Sequence, residues 1–234
     1  MAPGECAIVD ALIFSKDRPA QLDLLLRSID RYALGLYASL TVLAASSAPE
    51  YRDGYRRVFA DRPGVQVWPE TRFESQVKLW VLSKARPVSF LCDDDVFYRS
   101  AFNPGVLQLG RLPLSFRGGD YDYPFSLDGV VYESRDLRPL LEGLHFTGPT
   151  SLEHAGHLAR ERLPFATLNE SPACLTGWPL NRVSAESSMP SLGVHEYDLN
   201  ERFLEGRRLA IPAVPASSGP LPPHVTNELE LVWE

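Results

Sequence analysis

The chain has 234 residues, 44% of them hydrophobic and 23% charged, a composition that excludes a disordered polypeptide and fits a folded globular one. Its 23 Lys and Arg against 30 Asp and Glu leave a net charge of −7, which excludes a general role in coating nucleic acid. Cys6, Cys92 and Cys174 are odd in number and far apart, so they supply neither a disulfide framework nor a paired-thiolate metal motif. A reducing, cytoplasmic setting fits. No apolar run approaches the ~20 residues that span a membrane, and no charged segment with an apolar core and cleavage site leads the chain. No integral membrane segment is therefore expected, although a lipid-linked acceptor met at a membrane surface is compatible with the sequence.

In chain order, residues 7–14 read as a first buried strand, and Ser15, Lys16, Asp17, Arg18 and Pro19 then supply turn, cap and helix-start residues. Leu22, Leu25, Leu26 and Ile29 recur at spacings of three and four, which predicts a helix with one apolar face against a sheet. Residues 40–43 predict a second strand, 51–60 a helix, 65–68 a third strand after the Arg62-Pro63-Gly64 turn, and 73–85 another helix. The apolar run 87–92 predicts a fully buried strand. This alternation makes residues 1–100 a doubly wound, nucleotide-binding half.

The second half changes character. Residues 112–117 and 130–133 read as short strands around the turn-rich loop Gly118-Gly119-Asp120-Tyr121-Asp122-Tyr123, which suits a polar acceptor. Helices are predicted over 151–162 and 198–205, the latter capped by Asp198, with irregular chain between them. Residues 212–223 are rich in Pro, Ser and Gly, as in a mobile lid. One domain over 1–234 results, with 101–211 as the acceptor half and 212–234 as lid and tail. No internal repeat is visible.

The most informative feature is the triplet Asp93-Asp94-Asp95, directly after the buried strand. In open α/β sheets ligands sit beyond the carboxyl ends of the strands, so these carboxylates face a crevice. Like charges this close raise one another's pKa or require a cation, and Mg²⁺ or Mn²⁺ satisfies carboxylates while leaving positions for phosphate oxygens. A solvated acidic turn is the plainer alternative.

The segment Phe14-Ser15-Lys16-Asp17-Arg18-Pro19, the apolar helix after it and the strand ending in Asp93-Asp94-Asp95 together resemble glycosyltransferase family 2 and its GT-A fold. The resemblance continues through residues 115–119, Leu127-Asp128-Gly129, the helix start Thr150-Ser151-Leu152-Glu153, Pro179-Leu180-Asn181-Arg182-Val183 and Leu199-Asn200-Glu201-Arg202-Phe203-Leu204, which look like blocks of a bacterial branch of that superfamily. It implies a Rossmann-like α/β/α sandwich with a mixed, mostly parallel central sheet. The implied activity is inverting, metal-dependent transfer of a sugar, of the hexosyltransferase type, from a nucleoside-diphosphate-sugar donor to a saccharide or glycoconjugate acceptor.

By that resemblance Asp93 and Asp95 fit an Asp-x-Asp motif whose carboxylates hold Mn²⁺ or Mg²⁺ against the donor diphosphate. Asp95 is the expected direct ligand; Asp93 would reach the ribose or the metal's water shell, and Asp94 either role. His224 matches a histidine that completes the metal site after a flexible C-terminal loop, with a surface histidine as the alternative. Glu153 is the expected general base, or else a helix-start glutamate with a favourable dipole; Asp120, Asp122 and Asp128 are rivals, Asp128 reading more as a turn residue. Ser15, Asp17 and Arg18 are expected to contact base, ribose or phosphate, with Arg18 pairing a phosphate or else exposed to solvent. Gln76 and Lys78 are further donor-site candidates or simply an exposed helix face. Ala44-Ala45-Ser46-Ser47 departs from the aspartate that many relatives carry for the base, so base preference stays open. Tyr121, Tyr123 and Trp178 are sugar-stacking or core residues, and Asn181 and Arg182 belong to an acceptor loop or a structural one.

Two alternatives remain. A nucleotidyltransferase shares the nucleotide half and acidic site, but the segment 15–19 has no glycine to bring backbone close to phosphate. A catalytically silent nucleotide-sugar-binding protein would show the same residues.

Overall fold

The structure, a computed structural model, describes residues 9–100, 125–159, 174–181, 191–215, 218–219, 221, 224–225 and 229–234. Its first strand, β1 (Val9–Lys16), alternates its side chains between two buried clusters: Ala11 and Ile13 face one, Leu12 and Phe14 the other. Helix α1 (Pro19–Tyr32) begins on Pro19, whose missing N–H and fixed φ suit a first helical position. Leu22, Leu25, Leu26 and Ile29 are all buried in the cluster of Ile13, as their spacing predicts. Each such leucine contributes about 2 kcal/mol of hydrophobic stabilisation.

Strand β2 (Tyr37–Ala45), helix α2 (Pro49–Ala60), strand β3 (Val65–Pro69), helix α3 (Phe73–Leu82) and strand β4 (Val88–Cys92) continue the alternation. Strand β5 (Asp95–Phe97) follows at once, then β6 (Val131–Tyr132), α4 (Ser134–Glu142), α5 (Pro149–Leu158), β7 (Leu175–Gly177) and α6 (Glu196–Leu204). The central sheet has the order β3-β2-β1-β4-β6, parallel except for the β4–β6 pair. Tyr55 and Val58 of α2 and Leu199 and Phe203 of α6 pack with α1 on the Ile13 face. Phe73, Val77 and Trp80 of α3, Leu137, Leu140 and Leu141 of α4 and Leu152 of α5 pack on the Leu12 and Phe14 face. The fold is thus an α/β/α sandwich with a mixed, mostly parallel sheet, as expected. A small second sheet pairs β5 antiparallel with β7.

Several boundaries move for local reasons. Helix α3 stops at Leu82 rather than 85, where the Ser83 hydroxyl donates to the Trp80 carbonyl at 2.6 Å and competes with the helical ladder. Helix α5 begins at Pro149, two residues before the expected start, with proline again in the first turn. Helix α6 begins at Glu196; its cap is His195, whose Nδ1 accepts from the Tyr197 N–H at 3.1 Å, and not Asp198. Three elements, α4, β5 and β7, are absent from the sequence expectation. The predicted strand over 112–117 and the loop carrying Asp120, Tyr121, Asp122 and Tyr123 lie outside the described residues, as does Arg182.

Register decides where the site falls. Phe14 pairs with Leu43 on one side and Cys92 on the other, so β1, β2 and β4 end at the same edge. Asp93 therefore emerges beside Ser15 and Lys16. The described parts of the segment read as a lid are fastened at this end of the molecule: the Leu221 N–H donates to the Tyr98 hydroxyl at 3.2 Å, and Arg99 donates to the Gly219 carbonyl at 2.9 Å. His224 bridges to Gly177 of β7, and the Val225 N–H donates to the Gly177 carbonyl at 2.9 Å. Among the described residues no helix is long and apolar enough to cross a membrane.

Candidate active site

The three aspartates separate into different environments within one turn. Asp93, 4% exposed, accepts from the Lys16 N–H at 3.1 Å through Oδ2 and from Arg18 Nη1 at 2.9 Å through Oδ1. Arg18 Nη1 also lies 3.2 Å from Asp94 Oδ2. Asp95, 1% exposed, accepts from the Cys92 N–H at 2.8 Å through Oδ2, while its buried Oδ1 has no protein partner. Burial pushes the Asp93 carboxyl up to about 6, against the pull of Arg18 and with help from Asp94. Burial, then the charges of Asp128 and Asp94, push Asp95 well above the usual carboxylate range.

Arg18 is a buried tie and not a surface residue. Besides the two aspartates, its Nη2 donates to the Asn181 carbonyl, and Gln21 donates to the Asn181 side-chain oxygen. Burial opposes the guanidinium charge, but Asp93 and Asp94 outweigh it, and the group's affinity for its proton rises. The Tyr55 hydroxyl completes the anchorage, 2.7 Å from the Ser15 hydroxyl and accepting the Arg18 N–H at 3.3 Å. Burial and the nearby Asp93 charge keep that phenol protonated. Asp17 adopts φ 56°, a left-handed conformation that aspartate tolerates better than most residues, and its Oδ1 accepts the Ser47 N–H at 2.7 Å. Ser15, Asp17 and Arg18 thus lie at the carboxyl end of β1 beside Asp93, with all three side chains engaged by protein.

On the other side of the triplet, the pairing of Asp95 with Gly177, and of Gly177 with His224, brings the C-terminal segment alongside β5. His224 Nε2 lies 3.5 Å from Asp128 Oδ2, and its Nδ1 is buried without a partner. Asp128 sits on the Ser126–Gly129 turn, its N–H donating to the Ser126 hydroxyl at 3.1 Å. Gly129 takes φ 75°, where a side chain would be strained, and its N–H donates to the Phe90 carbonyl of β4 at 2.9 Å. Glu153, in the first half of α5, accepts the Leu127 N–H of this same turn at 3.2 Å. The turn therefore joins Glu153, Asp128 and His224 to the acidic strand end.

Gln76 and Lys78 are not joined to it. The Gln76 carbonyl accepts from the Thr71 and Arg72 N–H groups at 2.8 and 2.9 Å, which organises the start of α3. Lys78 pairs with Glu74 at 2.7 Å and donates to the Leu144 carbonyl at 2.8 Å. Trp178 is core, 2% exposed, with its backbone N–H donating to the Asp94 carbonyl at 2.6 Å. Sequence reasoning missed the linking roles of Tyr55, Gln21 and the Asn181 carbonyl; nothing local in the sequence signals a partner 160 residues away.

Asp95, Asp128 and His224 supply hard oxygen and imidazole nitrogen donors of the kind that suit Mn²⁺ or Mg²⁺. The orphaned Asp95 oxygen and the excess of buried carboxylate charge fit a cation. Among the described residues no group of three or more His, Cys, Asp or Glu side chains stands where it could hold a metal ion. Asp93 fits less well, because both of its oxygens are held by Lys16 and Arg18.

No protein-family profile and no curated protein matches the chain. Among solved structures it is similar to the apo form of the bifunctional glycosyltransferase WbbM, at 12% identity over 71% of this chain with a TM-score of 0.42. The chain spans 40% of the length of that protein. It is also similar to an active-site mutant of LgtC, at 10% identity over 88% of this chain and 98% of the other, with a TM-score of 0.43. Overlap of this extent does not by itself define a family or an activity.

Proposed function

We propose that this chain is a metal-dependent glycosyltransferase that takes a sugar from a nucleoside-diphosphate donor and passes it to a saccharide or glycoconjugate hydroxyl. The observation that carries the reading is the unpartnered, fully buried Asp95 oxygen at the carboxyl end of the central sheet, with Asp128 and His224 beside it. A buried carboxylate in that condition costs several kcal/mol unless it is protonated or meets a cation. A cation at this place would neutralise the diphosphate of a sugar nucleotide, where the strand ends of an α/β sheet receive a nucleotide.

In this reading Asp95 and His224 hold Mn²⁺ or Mg²⁺, which supplies charge stabilisation to the departing diphosphate. Ser15, Asp17 and the backbone at Lys16 line the nucleotide side. Arg18 keeps Asp93 and Asp94 in position rather than meeting a phosphate, since its guanidinium is already shared among three acceptors. Glu153 accepts the proton of the acceptor hydroxyl as that oxygen bonds to the anomeric carbon and the bond to the diphosphate breaks. Attack from the face opposite the leaving group inverts the anomeric centre. Glu153 is supported by its tether to the Asp128 turn, which fixes it relative to the cation side. Gln76 and Lys78 are left as supports of α3.

The test is a panel of UDP-, GDP- and dTDP-sugars incubated with Mn²⁺, with Mg²⁺ or with EDTA, reading free nucleoside diphosphate and released sugar. Slow cation-dependent hydrolysis of one donor, lost in Asp95→Asn, supports sugar transfer. Binding of a donor with neither hydrolysis nor transfer to any saccharide would instead identify a nucleotide-sugar-binding protein. Release of pyrophosphate from a nucleoside triphosphate would identify a nucleotidyltransferase.

A further inference from the structure

We propose that Ser28, buried in α1, is a positioning residue for the acidic turn: by holding β5 against α1 it sets where Asp95 presents its carboxylate. This rests on the reading of the turn as the cation and diphosphate side of a sugar-nucleotide site. It adds to that site a residue 69 positions away from the strand it holds.

Ser28 is 0% exposed, on the side of α1 that buries Leu25 and Ile29. A hydroxyl in such a place is unfavourable unless its hydrogen-bonding capacity is used. Here it is used twice: Oγ donates to the Leu25 carbonyl at 2.7 Å and accepts the Phe97 N–H of β5 at 3.0 Å. The second bond joins α1 to β5 where the sheet cannot. Strand β5 pairs with β7 on one side only, and the Tyr98 N–H donates to the Cys174 carbonyl on that side. Successive N–H groups of a strand point in opposite directions, so the Phe97 N–H points away from β7 and towards α1. Without the Ser28 oxygen it would be a buried donor left unpaired.

From Phe97 the constraint passes to Asp95. The two stand at alternate positions of β5, so their side chains share one face, about 7 Å apart along the strand. The Asp95 carboxylate accepts from the Cys92 N–H at 2.8 Å through Oδ2, and its Oδ1 has no protein partner, so its direction follows the backbone that carries it. The start of the turn is held separately, Asp93 by Arg18 at 2.9 Å and the Asp94 carbonyl by the backbone N–H of Trp178 at 2.6 Å. Arg18, the residue that precedes α1, and Ser28 within it thus fasten the two ends of the acidic segment to one helix. Loss of the Ser28 hydroxyl frees the Asp95 end and leaves the Arg18 ion pair in place.

The experiment titrates UDP, GDP and dTDP into the full chain by calorimetry, with Mn²⁺ and with EDTA, each protein first checked for a cooperative melt. Wild type, Ser28→Ala, Ser28→Cys and Thr41→Val are compared. Thr41→Val is the control for lost stability alone: Thr41 is also 0% exposed, and its hydroxyl accepts the Trp80 indole N–H at 3.0 Å on the opposite face of the sheet. Ser28→Ala is expected to weaken the Mn²⁺-dependent binding of the preferred nucleotide by about 10-fold, at the lower end of what loss of a supporting group produces. Thr41→Val, at an independent site, is expected to melt lower and to bind within about 2-fold of wild type. Ser28→Cys keeps a weaker acceptor, is expected to fall between wild type and Ser28→Ala, and carries the test if Ser28→Ala does not fold. A merely structural Ser28 would not separate these variants from Thr41→Val. Wild-type affinity in whichever Ser28 variant folds, or equal weakening in Thr41→Val, overturns the inference and leaves the sugar-nucleotide reading standing. Failure of wild type to bind any of the three nucleotides with Mn²⁺ overturns both.

Discussion

Arg18 and Asp93 form a buried ion pair at 2.9 Å that fastens the end of the first strand to the end of the fourth. The pair is 75 residues apart in sequence, and the same guanidinium reaches Asp94 and the Asn181 carbonyl. Three segments of chain thereby meet on one planar group, which suits arginine and not lysine.

Arg18→Ala leaves the buried Asp93 carboxylate without a counter-charge and is expected to cost about 3–5 kcal/mol of stability. Arg18→Lys restores little, because one ammonium cannot span Asp93, Asp94 and the Asn181 carbonyl together. Urea unfolding of the metal-free proteins checks this. An Arg18 that served only to bind phosphate would leave unfolding unchanged and lower donor affinity alone.

The pH dependence of the metal-free protein includes contributions from both buried carboxyls, Asp93 and Asp95, raised by burial, and that of Asp93 can be isolated by substitution. The folded Asp93 carboxyl, pushed up to about 6, lies above the ~3.9 of an unfolded aspartate, so the folded state holds the extra proton between those values. The group's contribution is complete at low pH and is lost as pH rises through about 6, on the order of 3 kcal/mol in all. Melting in EDTA is expected to show higher stability near pH 5 than near pH 7.5, with a smaller difference in Asp93→Asn. Stability that rises across this range by the same amount in both proteins would contradict it.

Gly54 sets how closely α2 can approach. A Cβ there would stand 2.3 Å from Asn200 Oδ1 and 2.5 Å from Pro19 Cγ. Gly54→Ala is therefore expected to destabilise by about 1–3 kcal/mol through overpacking. Because Pro19 opens α1 directly after Arg18, donor affinity is expected to fall as well. Denaturant midpoints and nucleotide titration measure the two effects, and a neutral substitution would show that α2 is free to shift.

Much of this architecture is legible in the sequence. The buried strands, the 22–25–26–29 helix face and the acidic strand end follow from periodicity and burial, which depend on local pattern. The helix α4 is missed although Leu137, Leu140 and Leu141 carry helical spacing, since Pro139 inside it reads as a breaker. Strands β5 and β7 have three residues each and no usable period. The site is legible only in part for a different reason. Asp95 stands out by its place after a strand, whereas Asp128 reads as a turn residue and nothing local signals its contact with His224, which is 96 residues further on and bridges to Gly177. Likewise Arg18 suggests a phosphate until Asp93, Asp94 and Asn181 are seen around it.

Cys174 is buried, and burial pushes its thiol up to about 12, so it should be inert in the native protein. Alkylation at pH 8 followed by mass spectrometry is expected to modify Cys174 only after unfolding. Rapid modification in the native state would mean that the β5–β7 sheet opens readily, and that Asp95 is not held as described.

The most direct measurement of the central claim is calorimetric titration of UDP, GDP and dTDP into wild type and Asp95→Asn, each with Mn²⁺ and with EDTA. The account predicts that at least one nucleoside diphosphate binds wild type only with the cation, and that Asp95→Asn loses this binding by about 100-fold while melting as a folded protein. Nucleotide binding that is indifferent to both the cation and Asp95, or no binding of any of the three, would contradict it.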